Sequence, residues 1–194
     1  MTEKRFNKIK KVVQKRQKSL TIVLENIHDP HNASAILRTA DSVGIDRVFL
    51  VYNTNVFPKI GRKSSSSAVK WIEKIKFDNA AECFAELRNE GFTIYTTYMD
   101  EEKDTLSLYD MDLTGKTALV FGNEKDGVSD EARELSDGNF LIPMTGMVQS
   151  LNVSVSAAVC LYEAFRQREL KGMYDRSEYS SEELKLKEEF YINK

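Results

Sequence analysis

Three short polar stretches of this sequence hold the residues best suited to chemistry. The longest runs from Leu141 to Val155, L-I-P-M-T-G-M-V-Q-S-L-N-V-S-V, and sets Gln149, Ser150 and Asn152 after an apolar strand and a turn with Pro143 and Gly146. Asn152 stands where a helix cap is expected, its side-chain oxygen free to accept an N–H of the first turn. Val153, Ala157, Leu161, Ala164 and Phe165 then form an apolar stripe at helical spacing. Backbone N–H groups freed at a helix start favour anionic or polar ligands, and Ser and Asn beside them add donors. Taken alone, an ordinary cap ahead of a core helix is the simpler account. The second stretch is Gly122 to Ser129, G-N-E-K-D-G-V-S, whose two glycines permit close backbone approach between a strand and a helix. A P-loop is excluded because Val128-Ser129 follows Gly127 where Lys-Ser or Lys-Thr is required, and the dinucleotide fingerprint is absent. The third, Asn26 to Asn32, is N-I-H-D-P-H-N. Pro30 disfavours helix at Asp29, Asn32 is the expected cap, and His28 and His31 read as solvated loop residues.

Each stretch follows a predicted strand. Leu20–Glu25, Arg47–Tyr52, Phe92–Tyr98, Thr117–Phe121 and Asn139–Ile142 have strand character, and Val69–Ile75 is a weaker one that carries Trp71. Ala33, Ile36, Leu37, Ala40 and Val43 make a helical stripe stopped by Gly44, so the first fifty residues form a parallel strand-helix-strand unit. Further helices are expected over 78–90, from Ser129 to Leu135, and after Ser180 with Leu184 and Tyr191 on one side; 100–116 is an acidic loop without pattern. In a doubly wound sheet, loops at the carboxyl ends of the strands converge on one crevice.

Length and composition suit one ordinary domain: 194 residues, 41% hydrophobic and 30% charged. No apolar run approaches a membrane span and no signal peptide is read. Cys83 and Cys160 fall in helical patterns with no partner at metal-ligand spacing, which points to a reduced, cytoplasmic protein with no metal. Eight Lys or Arg against Glu3 alone give the first eighteen residues a charge of +7, which leaves −9 on the rest of a chain of net −2. Residues 3–18 read as an amphipathic basic helix with Phe6, Ile9 and Val13 on its apolar side. A basic arm on an acidic body hints at a polyanionic partner; a solvated helix face explains the charge run alone. The loop 53–67, with Lys59, Arg62, Lys63 and Ser64 to Ser67, is either flexible filler or a set of phosphate contacts.

The three stretches, in order and wording, resemble the three motifs of the SpoU family of RNA 2′-O-ribose methyltransferases in the SPOUT superfamily, over essentially the whole chain. Within the family the likeness is greatest to the compact members that methylate a guanosine of the tRNA D-arm. The resemblance implies an α/β fold: a parallel sheet with helices on both faces and a C-terminal trefoil knot that binds S-adenosylmethionine. It implies a division into a basic N-terminal helix (1–19), the knotted domain (20–170) and a C-terminal helical extension (171–194). It also implies a homodimer partly joined through the helix after Asn152, and tRNA as partner. Cofactor contacts map to Gly122, Ile142 and Leu151, with Thr97 and Met144 nearby. Asn32, Arg38, Glu124, Ser150 and Asn152 map to the chemistry. Arg38 is given the ribose proton, acting with a substrate phosphate, although a guanidinium normally holds its proton to beyond about pH 12. It therefore either accepts the proton in a strongly perturbed site or orients the phosphate that does. Ser150 is a phosphate or ribose anchor, Asn152 the cap of its loop, and Glu124 a fixer of loop geometry, with a base role open. Ala33-Ser34 stand where many relatives carry a glycine. The alternatives are methylation of another tRNA or rRNA nucleotide, a non-catalytic RNA-binding relative, and a nucleotide-dependent oxidoreductase disfavoured by the missing fingerprint.

Overall fold

Leu20–Glu25 (β1) is buried along its whole length in the computed structural model of the chain, which describes residues 1–60, 68–98 and 105–194. It pairs in parallel with Arg47–Val51 (β2) on one side and Thr117–Phe121 (β6) on the other. Glu73–Phe77 (β3) lies beyond β2, while Thr93–Thr97 (β4), Gly138–Leu141 (β7) and Leu106–Ser107 (β5) follow beyond β6. Every pairing in the order β3-β2-β1-β6-β4-β7-β5 is parallel.

A parallel sheet must be covered on both faces, and the period-two alternation of its strands shows how. Ile22, Leu24, Val48, Leu50 and Leu119 pack into the core under helices Pro30–Ser42 (α2) and Val153–Leu170 (α5). Their neighbours Val23, Phe49 and Val120 join the opposite core with Ala80–Asn89 (α3) and Asp130–Leu135 (α4). A third small core joins the termini, where Ile9 and Val13 of Glu3–Gln14 (α1) meet Tyr191 of Ser181–Ile192 (α6), flanked by Trp71. Ser180 and Glu183 close a capping box at the start of α6. Among the described residues no helix is long and apolar enough to cross a membrane.

Several boundaries depart from expectation, each for a physical reason. The basic helix stops at Gln14, not Lys18, because Arg16 turns inward: its guanidinium donates to Ile45 O at 2.8 Å and to the Asp41 carboxylate at 2.5 Å, and is 1% exposed. Gln17 then pairs with Ile45. Asp29, not Asn32, caps α2, accepting from His31 N at 2.7 Å; Pro30 takes the first helical position, where its missing N–H costs nothing, and Asn32 lies buried in the first turn. The helix expected from 78 begins at Ala80, capped by Asn79. Trp71 is not in a strand: Ala68–Lys70 is a single 3-10 turn and β3 begins at Glu73. The acidic segment expected to lack pattern contains β5 and a 3-10 turn at Leu108–Asp110. Arg62, Lys63 and the four serines lie outside the described residues, as do residues 99–104.

The end of α5 is fastened by Arg168, which is fully buried. Its guanidinium donates to Leu113 O at 2.9 Å, Gly115 O at 2.6 Å, Ser19 O at 3.0 Å, Ser19 Oγ at 2.8 Å and Gln17 Oε1 at 3.1 Å. Glu178 stands 3.7 Å away as counter-ion and also accepts from Ser19 N and Oγ. Burial draws the Arg168 pKa below its ordinary value against the pull of Glu178. One side chain thus ties the segment after α1, the turn before β6, α5 and the stretch leading to α6.

Candidate active site

The carboxyl ends of β4, β6 and β7 and the loop after β7 enclose a cleft of about 530 Å³. Its walls are Phe121, Phe140, Ile142, Leu151 and Val153, and its polar rim carries Glu124, Gln149, Ser150 and Asn152. Thr97, Gly122, Ile142, Met144 and Leu151, the five positions expected to meet a cofactor, all line it.

At the end of β6 the backbone turns sharply. Gly127 has φ +71°, its N–H bonds Asn123 O at 2.9 Å, and a Cβ on Gly122 would lie 2.1 Å from the Gly127 carbonyl carbon. Only a residue without a side chain permits this approach at 122. The turn is pinned from outside by side chains. Asn123 Nδ2 donates to Asn26 O at 2.8 Å, and Glu25, 2% exposed, accepts from Ser129 N at 2.8 Å and Ser129 Oγ at 2.6 Å. Asn26 itself has φ +51°, and its Oδ1 accepts Asn53 N and Thr54 N, both at 3.2 Å. Asparagine tolerates that left-handed conformation better than most residues. None of Glu25, Asn26 or Asn123 was among the expected site residues. Their signal is faint: a carboxylate and an amide at a strand end, and an asparagine after a strand-end glycine.

A single hydrogen-bonded line joins the three motif loops. Asn152 Nδ2 donates to Asn32 Oδ1 at 3.1 Å, and Asn32 Nδ2 donates to Glu124 Oε1 at 2.9 Å. Glu124 also accepts His28 N at 3.0 Å and Asp29 N at 3.1 Å. Asn152 caps α5 as expected, its Oδ1 taking Ser154 N at 2.9 Å and Ser154 Oγ at 2.6 Å. With one amide donating to a carboxylate and the other to an amide oxygen, the direction of both asparagines is set. Burial pushes the Glu124 carboxyl up, but the donors from Asn32, His28 and Asp29 outweigh it and hold the group below the ordinary carboxylate range. A carboxylate so supplied is a weak base, which favours the loop-fixing role over proton abstraction.

Arg38 is not part of this line. It is exposed on α2 and does not line the cleft. Six residues beyond Asn32, it stands about 9 Å further along the helix axis. It shares the outer surface of α2 with Ser42, whose Oγ is 3.3 Å from Tyr162 OH on α5. His28 and His31 are exposed. Burial pushes both cysteine thiols up to about 12, which leaves them chemically quiet. Among the described residues no group of His, Cys, Asp and Glu could hold a metal ion.

A family model described as the SpoU rRNA methylase family matches residues 19–162. A tRNA (guanosine(18)-2′-O)-methyltransferase of Thermus thermophilus is 48% identical over 175 residues, 90% of this chain and 89% of that protein. Among solved structures, the TrmH/SpoU tRNA modifying enzyme of A. aeolicus superposes with a TM-score of 0.90 at 40% identity, over 98% of this chain and 96% of the other. The SpoU methyltransferase AviRb of Streptomyces viridochromogenes, solved with its cofactor AdoMet, gives a TM-score of 0.69 at 27% identity, over 81% of this chain and 62% of that one.

Proposed function

The chain belongs to the SpoU rRNA methylase family, and on that premise we propose that it methylates the ribose 2′-oxygen of a tRNA nucleotide, the guanosine at position 18 of the D-arm, with S-adenosylmethionine as donor. The observation that carries the reading is the bonded line Asn152–Asn32–Glu124, which holds three separate motif loops at the mouth of one cleft. High identity to the Thermus enzyme over nine-tenths of the chain supports the substrate.

The cleft suits the donor. Apolar walls accommodate an adenine ring, Gly122 and Gly127 bring the β6 turn to the cleft edge, and the exposed N-terminus of α5 and Ser150 offer donors to polar ends. Thr97, Gly122, Ile142, Met144 and Leu151 would hold it. When bound, S-adenosylmethionine supplies an electrophilic methyl group on a sulfonium. The protein must then place a ribose hydroxyl in line and dispose of its proton. Ser150 anchors the ribose or its phosphate, Asn152 keeps that loop in register with Asn32, and Glu124 stays ionised to hold the first motif loop.

Arg38 completes the set by orienting the substrate phosphate, or by taking the proton with it. Because it does not reach the cleft of its own chain, this role requires a homodimer. The face that carries Arg38, Ser42, Tyr162 and the exposed Val155 on α5 is suited to pairing with a second copy. The RNA backbone is met by the lysines at 4, 8, 11 and 15, which fall on one side of α1 along a groove of about 540 Å³. We assign 1–19 to this arm, 20–170 to a domain with a trefoil knot, and 171–194 to the helical extension, in a cytoplasmic protein. Arg168, clasped by 113–115 and by Ser19, supports a threaded end of α5. A tRNA transcript with deoxyguanosine at position 18 tests the reading: it should bind and accept no methyl group, whereas transfer to it would place the reaction elsewhere.

A further inference from the structure

On the side of α1 that faces α6, a cavity of about 350 Å³ opens beneath Arg5, Lys8 and Val12. Its aromatic wall is Trp71 with Tyr191, ring centroids 5.2 Å apart, and its inner end is the ion pair of Arg16 with Asp41. Tyr191 Oη donates to Trp71 O at 2.6 Å, which fixes the two rings relative to each other. The indole is only partly buried, although it packs on the Ile9, Val13 and Tyr191 core. Lys70 Nζ sits 4.8 Å from its centroid, and Arg5 and Lys8 stand exposed at the mouth. The Nε–H of Arg16 is buried and has no hydrogen-bond partner among the described residues. A tryptophan needed only to seat α1 requires neither an open cavity beside it nor a ring of cations around that opening.

An aromatic wall under a cationic mouth is the chemistry that holds an unstacked base by its π-face and its phosphate by charge. We infer that this pocket takes one unstacked nucleobase of the RNA, stacked against Trp71, with the adjoining phosphate between Arg5 and Lys8. The inference rests on the RNA-methylating reading above. The pocket is separate from the motif cleft of the same chain. Asp41 lies nine residues beyond Asn32, about 14 Å along α2 from the motif network. Lys8 borders both this pocket and the lysine-lined groove, so a strand tracked along α1 can place a base here.

Trp71 is the only tryptophan in the chain, so its emission reports on this pocket without a label. The full-length protein is titrated with unmodified tRNA transcript, with guanosine 5′-monophosphate, and with ribose 5-phosphate at matched ionic strength. The tRNA and the nucleotide should quench the emission, and the sugar phosphate should not. Trp71→Phe, which keeps a ring against Ile9 and Val13, and the exposed pair Arg5→Ala with Lys8→Ala should each weaken tRNA binding about 10-fold without loss of helix content. Bound tRNA with unaltered emission overturns the pocket, and methyl transfer to that same tRNA shows that the enzyme reading survives. Equal quenching by ribose 5-phosphate and by the nucleotide also overturns it, since the base would then contribute nothing. Base-dependent quenching by tRNA without any methyl transfer supports the pocket and removes the enzyme reading instead.

Discussion

Asn32 uses its amide oxygen and nitrogen on two different motif loops, so neither contact survives its removal. Asn32→Ala leaves the Asn152 amide without its acceptor and Glu124 with one donor fewer, and should cost about 1–3 kcal/mol in urea unfolding. Methyl transfer should fall at least about 100-fold, the scale of losing substrate positioning; full activity in this variant would show the bridge to be dispensable. Glu124 gives a second prediction at this scale. Its folded pKa is depressed, so the stability it contributes is present above the unfolded carboxylate value of about 4.3 and is lost as pH falls through the folded one. The stability gap between wild type and Glu124→Gln should therefore shrink on acidification. Between about pH 6 and 9 Glu124 stays ionised and should add no limb to the kcat profile. Residue identities were legible to the extent that motif wording carried them: the cap at Asn152 stands where expected, and the five positions singled out for a cofactor line one cleft. Glu25, Asn26 and Asn123 were not, because a lone polar residue at a strand end looks the same whether it binds water or a distant loop. Whether Arg38 reaches a cleft depends, in the dimer proposed above, on the helix face that the copies would share, which the spacing within one chain does not specify.

Among elements, the turn from β6 to α4 has the least room. A methyl group at Gly122 would collide with backbone, not with a side chain that could swing away. Gly122→Ala should therefore destabilise the protein by about 1–3 kcal/mol and weaken S-adenosylmethionine binding by at least tenfold. Calorimetric titration of the variant checks this, and unchanged affinity would mean that the cofactor does not use this backbone. β1, β6, α4 and the start of α5 were legible because apolar runs, Ser129 and Asn152 leave few alternatives. The start of α2 was misread because Pro30 is compatible both with ending a loop and with opening a helix, and Asp29 decides between them only through a bond to His31 N. The strand expected over Val69–Ile75 begins only at Glu73, because Trp71 serves packing against Ile9, Val13 and Tyr191, a long-range demand with no local period.

At the scale of the whole molecule, the termini and the end of α5 are held by charge placed inside. Arg168 is fully buried and bonds three separate stretches of chain, so Arg168→Ala should cost about 3–5 kcal/mol in urea unfolding by taking the guanidinium donors from those carbonyls and the counter-ion from Glu178. Arg16 was counted with the cations of the basic N-terminal helix, since burial of a charge depends on partners brought from far along the chain. The remaining cations of α1 stay outside, and replacing Lys4, Lys8, Lys11 and Lys15 by Gln should flatten the slope of log affinity for tRNA against log salt by about 2–3. The sheet class was legible from the strand-helix-strand unit, whereas the order β1-β6-β4-β7-β5 was not, because strands between buried helices are alike in composition. The central claim is that these parts together make a ribose methyltransferase for one tRNA position. It is tested most directly by incubating the protein with labelled S-adenosylmethionine and unmodified tRNA transcript and mapping the product, with Arg38→Ala in parallel. A single 2′-O-methyl group on guanosine 18 that disappears in the variant is the predicted result; a modified nucleotide elsewhere, or no transfer to RNA at all, contradicts it.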